Sequence, residues 1–67
     1  TRRPGDGLRV AVLGLGEAGS AIAAGLVGAG AEVAGWDPDS ARRVDGVRQA
    51  EGAADAVRDA DVVLGLS

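Results

Sequence analysis

Three glycines and one aspartate in this 67-residue chain have the types and spacing to hold an anion and a sugar. The glycines stand as G-x-G-x-x-G in Gly14-Leu15-Gly16-Glu17-Ala18-Gly19. Gly14 allows a sharp turn with dihedrals a side chain resists. Gly16 clears the backbone for close approach of a pyrophosphate, and Gly19 lets the following segment pack tightly. If a helix starts here, its unpaired N–H groups and the positive end of its dipole face the anion. Asp37 follows Gly19 at close to the ~20-residue spacing of an acid that accepts hydrogen bonds from ribose hydroxyls. Asp37 also suits a helix cap, since Pro38 follows it, and a carboxylate has lone pairs enough for both tasks.

A glycine turn means little in a chain with 12 glycines unless the elements around it are right. Before it runs Arg9–Leu13, an apolar and partly β-branched stretch that reads as a buried parallel strand. After it, residues 18–29 read as a helix, with Ala18, Ile22, Leu26 and Ala29 forming one apolar stripe and Gly30 just past the end. Glu32–Trp36 is a second strand, and residues 38–44 a short helix with Pro38 at its first position. Residues 47–49 are a short edge strand, residues 53–59 one or two helical turns, and residues 62–66 a last buried apolar strand. Gly25, Gly28 and Gly46 are taken as helix packing, helix ending and turn. The alternation predicts an α/β fold, a Rossmann-type parallel sheet with crossover helices and four strands in the order 4-1-2-3. Residues 1–7 read as a flexible leader, and residues 8–67 as the N-terminal part of a dinucleotide-binding domain.

Composition limits the chemistry. Cys, His, Lys, Tyr, Phe and Met are all absent, which removes thiolates, the commonest metal ligand and the usual general bases. Neither a catalytic residue nor a metal site is expected. Net charge is −3, with residues 1–9 at +2 and the remainder at −5. An acidic body without basic clusters argues against nucleic-acid or anionic-membrane binding. No apolar run approaches the ~20 residues of a membrane span, so a cytoplasmic location is the default expectation. Trp36, the single aromatic, is expected in the core or beside an adenine. Glu17 is expected to face solvent at the helix start, and Asp55, Asp59 and Asp61 to be solvated.

The segments GLGEAGSAIAAGL, GAEVAGWD and AVRDADVVLGL resemble the amino-terminal domain of the β-hydroxyacid dehydrogenases, which include 6-phosphogluconate and 3-hydroxyisobutyrate dehydrogenases. The resemblance implies Gly14, Leu15, Gly16, Glu17, Ala18 and Gly19 along a pyrophosphate and Asp37 at the adenosine ribose. It also implies that Leu66 and Ser67 begin a loop toward the nicotinamide. The family's Ser-Gly-Gly segment, catalytic Lys and helical second domain have no counterpart here. The expected role is therefore the cofactor-binding segment of an oxidoreductase, whose hydride transfer to a small hydroxyacid-type substrate needs further protein. A nucleotide-binding or regulatory module without redox chemistry is the alternative, and a homo-oligomer is left open. NAD is the expected cofactor, because a carboxylate at the ribose repels a 2′-phosphate and Pro38 stands where NADP proteins of this fold often have Arg. Arg42 and Arg43 would restore NADP binding if turned inward.

Overall fold

Strand β1, Arg9–Leu13, is the middle of the molecule because its side chains alternate between two cores. Val10 and Val12 join Leu15, Ala23 and Val33 on one face of the sheet. Ala11 joins Ala50 and Ala56 on the other. The computed structural model describes residues 7–65. The expected leader therefore lies, apart from Gly7, outside the described residues.

The remaining elements are α1 (Glu17–Gly28), β2 (Glu32–Trp36), β3 (Arg48–Gln49), α2 (Ala53–Val57) and β4 (Val62–Gly65). All strand pairs are parallel, and the sheet order is β3-β2-β1-β4. Those are the neighbours of the expected 4-1-2-3 order, counted from the opposite edge. The chain builds outward from β1 through β2 to β3, then returns past β1 to lay down β4. That reversal puts the topological switch point, where open α/β sheets bind ligands, at the carboxyl end of β1.

Four local expectations fail for identifiable reasons. The predicted helix at residues 38–44 is a run of bends and turns. Asp37 Oδ1 accepts from the Asp39 N–H at 2.8 Å, and Asp39 Oδ1 from the Ala41 N–H at 3.0 Å. Two successive aspartate turns thus take the amides that a helix would need. The stripe on α1 is displaced by one residue: Gly19 and Ala23 are buried, with Leu26 and Val27 beside them. Ala18 and Ala29 are exposed, and Ile22 remains 40% exposed. Gly19 sets this phase, because it must face the Gly14 carbonyl. Gly25 faces open space, so helix packing does not require it. Lastly, β4 is not a buried run: Val62 and Val63 are exposed because β4 is the sheet's outer strand.

Asp55 and Asp61 are not merely solvated either. Asp55 Oδ2 accepts from Arg48 Nη1 at 3.1 Å and from the Glu51 N–H at 3.0 Å, tying β3 to α2. Asp61 Oδ2 accepts from the Arg9 N–H at 2.9 Å, fixing the start of β4 beside β1. Asp59 is exposed and holds a left-handed φ of 65° just past α2, a conformation Asp tolerates better than most residues.

Candidate functional site

The turn after β1 is fastened from below. Gly14 has φ 102°, in the region that favours glycine, and its N–H donates to the Trp36 carbonyl at 2.7 Å. The Leu15 N–H donates to Asp37 Oδ2, also at 2.7 Å, while the Leu15 side chain is buried in the α1-side core. Leu15 is therefore an anchor for the turn, with its amide already committed to a carboxylate. Gly16 then caps α1 in an extended conformation and supplies no side-chain hydrogen bond. Its carbonyl takes the first helical bond, from the Ser20 N–H at 2.9 Å. The amides of Glu17 and Ala18 precede that bond, so they belong to the donors a helix start leaves without an intrahelical partner. Both residues are exposed. The Glu17 side chain, expected at the solvent face, stands there.

Asp37 closes the site from the end of β2. It is the one buried charged residue among those described, 9% exposed. The two N–H groups it accepts from hold its carboxyl below the ordinary carboxylate value, the Asp39 bond most and then the Leu15 bond, with Arg42 adding attraction. Asp55 is lowered likewise by the Glu51 N–H and then by Arg48. A depressed folded value means that each acid takes up its proton more readily when unfolded. Their contributions are therefore complete above the unfolded value of about 4 and lost as pH falls through the folded values. Thermal melts should show falling stability below about pH 4, with Asp55→Asn less stable at neutral pH and less sensitive to acid.

Arg42 completes the arrangement. Its Nη1 lies 3.9 Å from Asp37 Oδ2 and its Nε 3.6 Å from Asp39 Oδ2. The same Nη1 is 2.9 Å from where a Cβ on Gly16 would stand, so the guanidinium lies over the glycine turn. Around these groups is a cavity of about 1030 Å³ at the carboxyl ends of three strands, marked by Leu13, Trp36 and Gly65. Gly14, Gly16, Glu17, Ala18, Gly19 and Asp37 line it, and Leu15 does not. Leu66 and Ser67 lie outside the described residues. Trp36 packs beside the Ala11–Ala50–Ala56 core, as one of its two expected roles requires, and also lines this cavity. A smaller cleft of about 530 Å³ opens between Trp36, Arg43 and Gln49. Another, of about 570 Å³, lies at the opposite end of the sheet beside Arg9, Glu32 and Asp59.

Pro38 and Arg42, considered from the sequence beside the ribose, both line this cavity, and Asp39 joins them without having been expected there. The signal was in Asp37-Pro38-Asp39-Ser40: aspartates two apart favour nested turns over a helix. Such turns bring a residue five positions on back toward the glycines. Among the described residues, no cluster of three His, Cys, Asp or Glu could hold a metal. No helix there is long and apolar enough to cross a membrane.

A glycine turn at the switch point, a helix N-terminus facing a cavity and an acid at the end of β2 together define an NAD(P)-binding domain of the oxidoreductases. The family model described as NADP oxidoreductase coenzyme F420-dependent matches residues 9–65, and the chain belongs to this family. The match overlaps all three segments that resemble the β-hydroxyacid dehydrogenases and does not assign the chain to them. No curated protein and no solved structure matches the chain.

Proposed function

We propose that this chain is the cofactor-binding part of an NAD(P)-dependent dehydrogenase or reductase. In this reading the dinucleotide lies across the carboxyl end of β1. Its pyrophosphate rests on Gly16 and the amides of Glu17 and Ala18, and its adenosine ribose lies beside Asp37 and Pro38. The observation that carries the reading is the bare Gly16 cap, which brings no side chain of its own and leaves helix-start donors without an intrahelical partner beside the cavity. The residues fit the group, and when bound it would supply the hydride chemistry. The chain's own part is to bind and orient: Leu15 and Asp37 stiffen the turn, and Gly14 and Trp36 fix its height above the sheet.

A chain without His, Lys, Tyr or Cys offers none of the usual proton-transfer groups at a nicotinamide. Proton transfer and substrate recognition, of the β-hydroxyacid type by resemblance, are therefore assigned to protein outside these residues. NAD follows from the carboxylate of Asp37. A second reading, NADP, is favoured by Arg42, which stands close enough to offset that charge, and by the family's description.

Trp36 provides the test, because it is the chain's only Trp and lines the cavity. Titration with NAD or NADP should change its fluorescence saturably with at least one of them. A flat response to both, together with no heat of binding by calorimetry, would reject the proposal.

A further inference from the structure

We propose that the Glu17 side chain is a specificity residue of the glycine turn, disfavouring ligands that end in a free phosphate relative to pyrophosphate diesters. The inference rests on the dinucleotide reading above and sets a charge limit on what that site takes. Four charged residues line the cavity, Glu17, Asp37, Asp39 and Arg42. A site built only to attract anions would not set three acids against one base. Asp37 is compensated by the Leu15 and Asp39 amides, and Arg42 stands between Asp37 and Asp39. Glu17 has no such compensation among the described residues. Helix α1 contains no cation, and Ser20 and Ala21, one turn ahead, cannot form an ion pair with it. The Ser20 hydroxyl donates to the Glu17 carbonyl, not to its carboxylate.

Glu17 is the first residue of α1, directly after the Gly16 cap. The positive end of the helix dipole there is worth about half an elementary charge. Without a ligand, the Glu17 carboxylate takes that attraction and steadies the helix start. A bound phosphate claims the same positive end, and the two anions repel each other. A phosphate inside a dinucleotide carries a single negative charge, whereas a terminal phosphate carries about −1.5 to −2. The repulsion therefore grows with the charge that ends the ligand. Because Glu17 is exposed, solvent and salt screen this effect, and it discriminates without excluding.

The test is calorimetric titration of the full chain with ADP, ADP-ribose and NAD. ADP and ADP-ribose share adenosine and both phosphates, and differ in whether the second phosphate is terminal. The variants are Glu17→Gln and Glu17→Lys, with circular dichroism to confirm folding. Asp59→Asn is the control: it makes the same charge change at the opposite end of the sheet, and Asn tolerates the left-handed backbone there. Glu17→Gln is expected to tighten ADP about fivefold and ADP-ribose and NAD about twofold, the scale of an exposed charge pair. Glu17→Lys should move all three further in the same order, and Asp59→Asn should leave them unchanged. Raising the salt concentration should shrink the gap between the unsubstituted chain and Glu17→Gln. A role confined to steadying the helix start would lower the melting temperature and leave the ratio of ADP to ADP-ribose affinity where it was. That unchanged ratio, or weaker ADP binding by Glu17→Gln, would overturn the inference while leaving the dinucleotide reading in place. Failure of the unsubstituted chain to bind any of the three would overturn both.

Discussion

Gly16→Val abolishes dinucleotide binding and leaves the sheet folded. The backbone at Gly16 has φ −70° and ψ −162°, an extended conformation open to any residue, so a side chain brings no backbone strain. Its only close neighbour would be Arg42 Nη1 at 2.9 Å, the far end of a half-exposed side chain that can swing away. The added methyls would instead fill the surface where the pyrophosphate must touch backbone. Affinity is expected to fall at least about 100-fold, equivalent to roughly 2.7 kcal/mol, with unchanged circular dichroism and a melting temperature close to that of the parent. Unchanged affinity would show that the turn binds nothing.

Gly19→Ala does the opposite, three residues away in the same motif. A Cβ there would stand 1.8 Å from the Gly14 carbonyl oxygen and 2.9 Å from its carbon. Both are backbone atoms, and the Gly14 amide is already fastened to Trp36, so neither α1 nor the turn can give way cheaply. The cost is about 3 kcal/mol or more, the upper range of overpacking. Total stability for a chain this size is on the order of 3–10 kcal/mol. The variant should therefore lose most of its helical signal or melt many degrees lower, and lose binding only as a consequence. A folded Gly19→Ala with ordinary stability would contradict the close packing of α1 on β1.

The contrast between these glycines marks what is legible without coordinates. The strands β1 and β2, the turn between β1 and α1, and the parallel arrangement all follow from local patterns: an apolar run, three spaced glycines, a second short run. Their signals agree with one another, as expected where each local preference supports the same fold. The phase of α1 was not legible, because it is fixed by contact of Gly19 with Gly14, and the apolar spacing of Ala18, Ile22 and Leu26 pointed elsewhere. Residues 38–44 depart from the expected helix for a related reason. Pro38 and the preceding Asp fit a helix start, but Asp37 and Asp39 use their side chains on the backbone two residues ahead. The exposure of Val62 and Val63 depends on which strand lies outermost, a property of the whole sheet. The spacing of Asp37 from Gly19 points to a ribose, whereas its bond from the Leu15 N–H, across 22 residues, has no local signal.

The central claim is that a dinucleotide lies on the glycine turn at the carboxyl end of β1. Backbone amide shifts in nitrogen-15 NMR, followed during titration with NAD and NADP, test it residue by residue. The account predicts the largest shifts at Gly16, Glu17 and Ala18, with a second group from Asp37 to Arg42 and a change at the Trp36 indole. Gly46, Arg58 and Asp59, at the opposite end of the sheet, should stay still. Shifts concentrated at that far end, or none at the glycine turn at saturating cofactor, would contradict it.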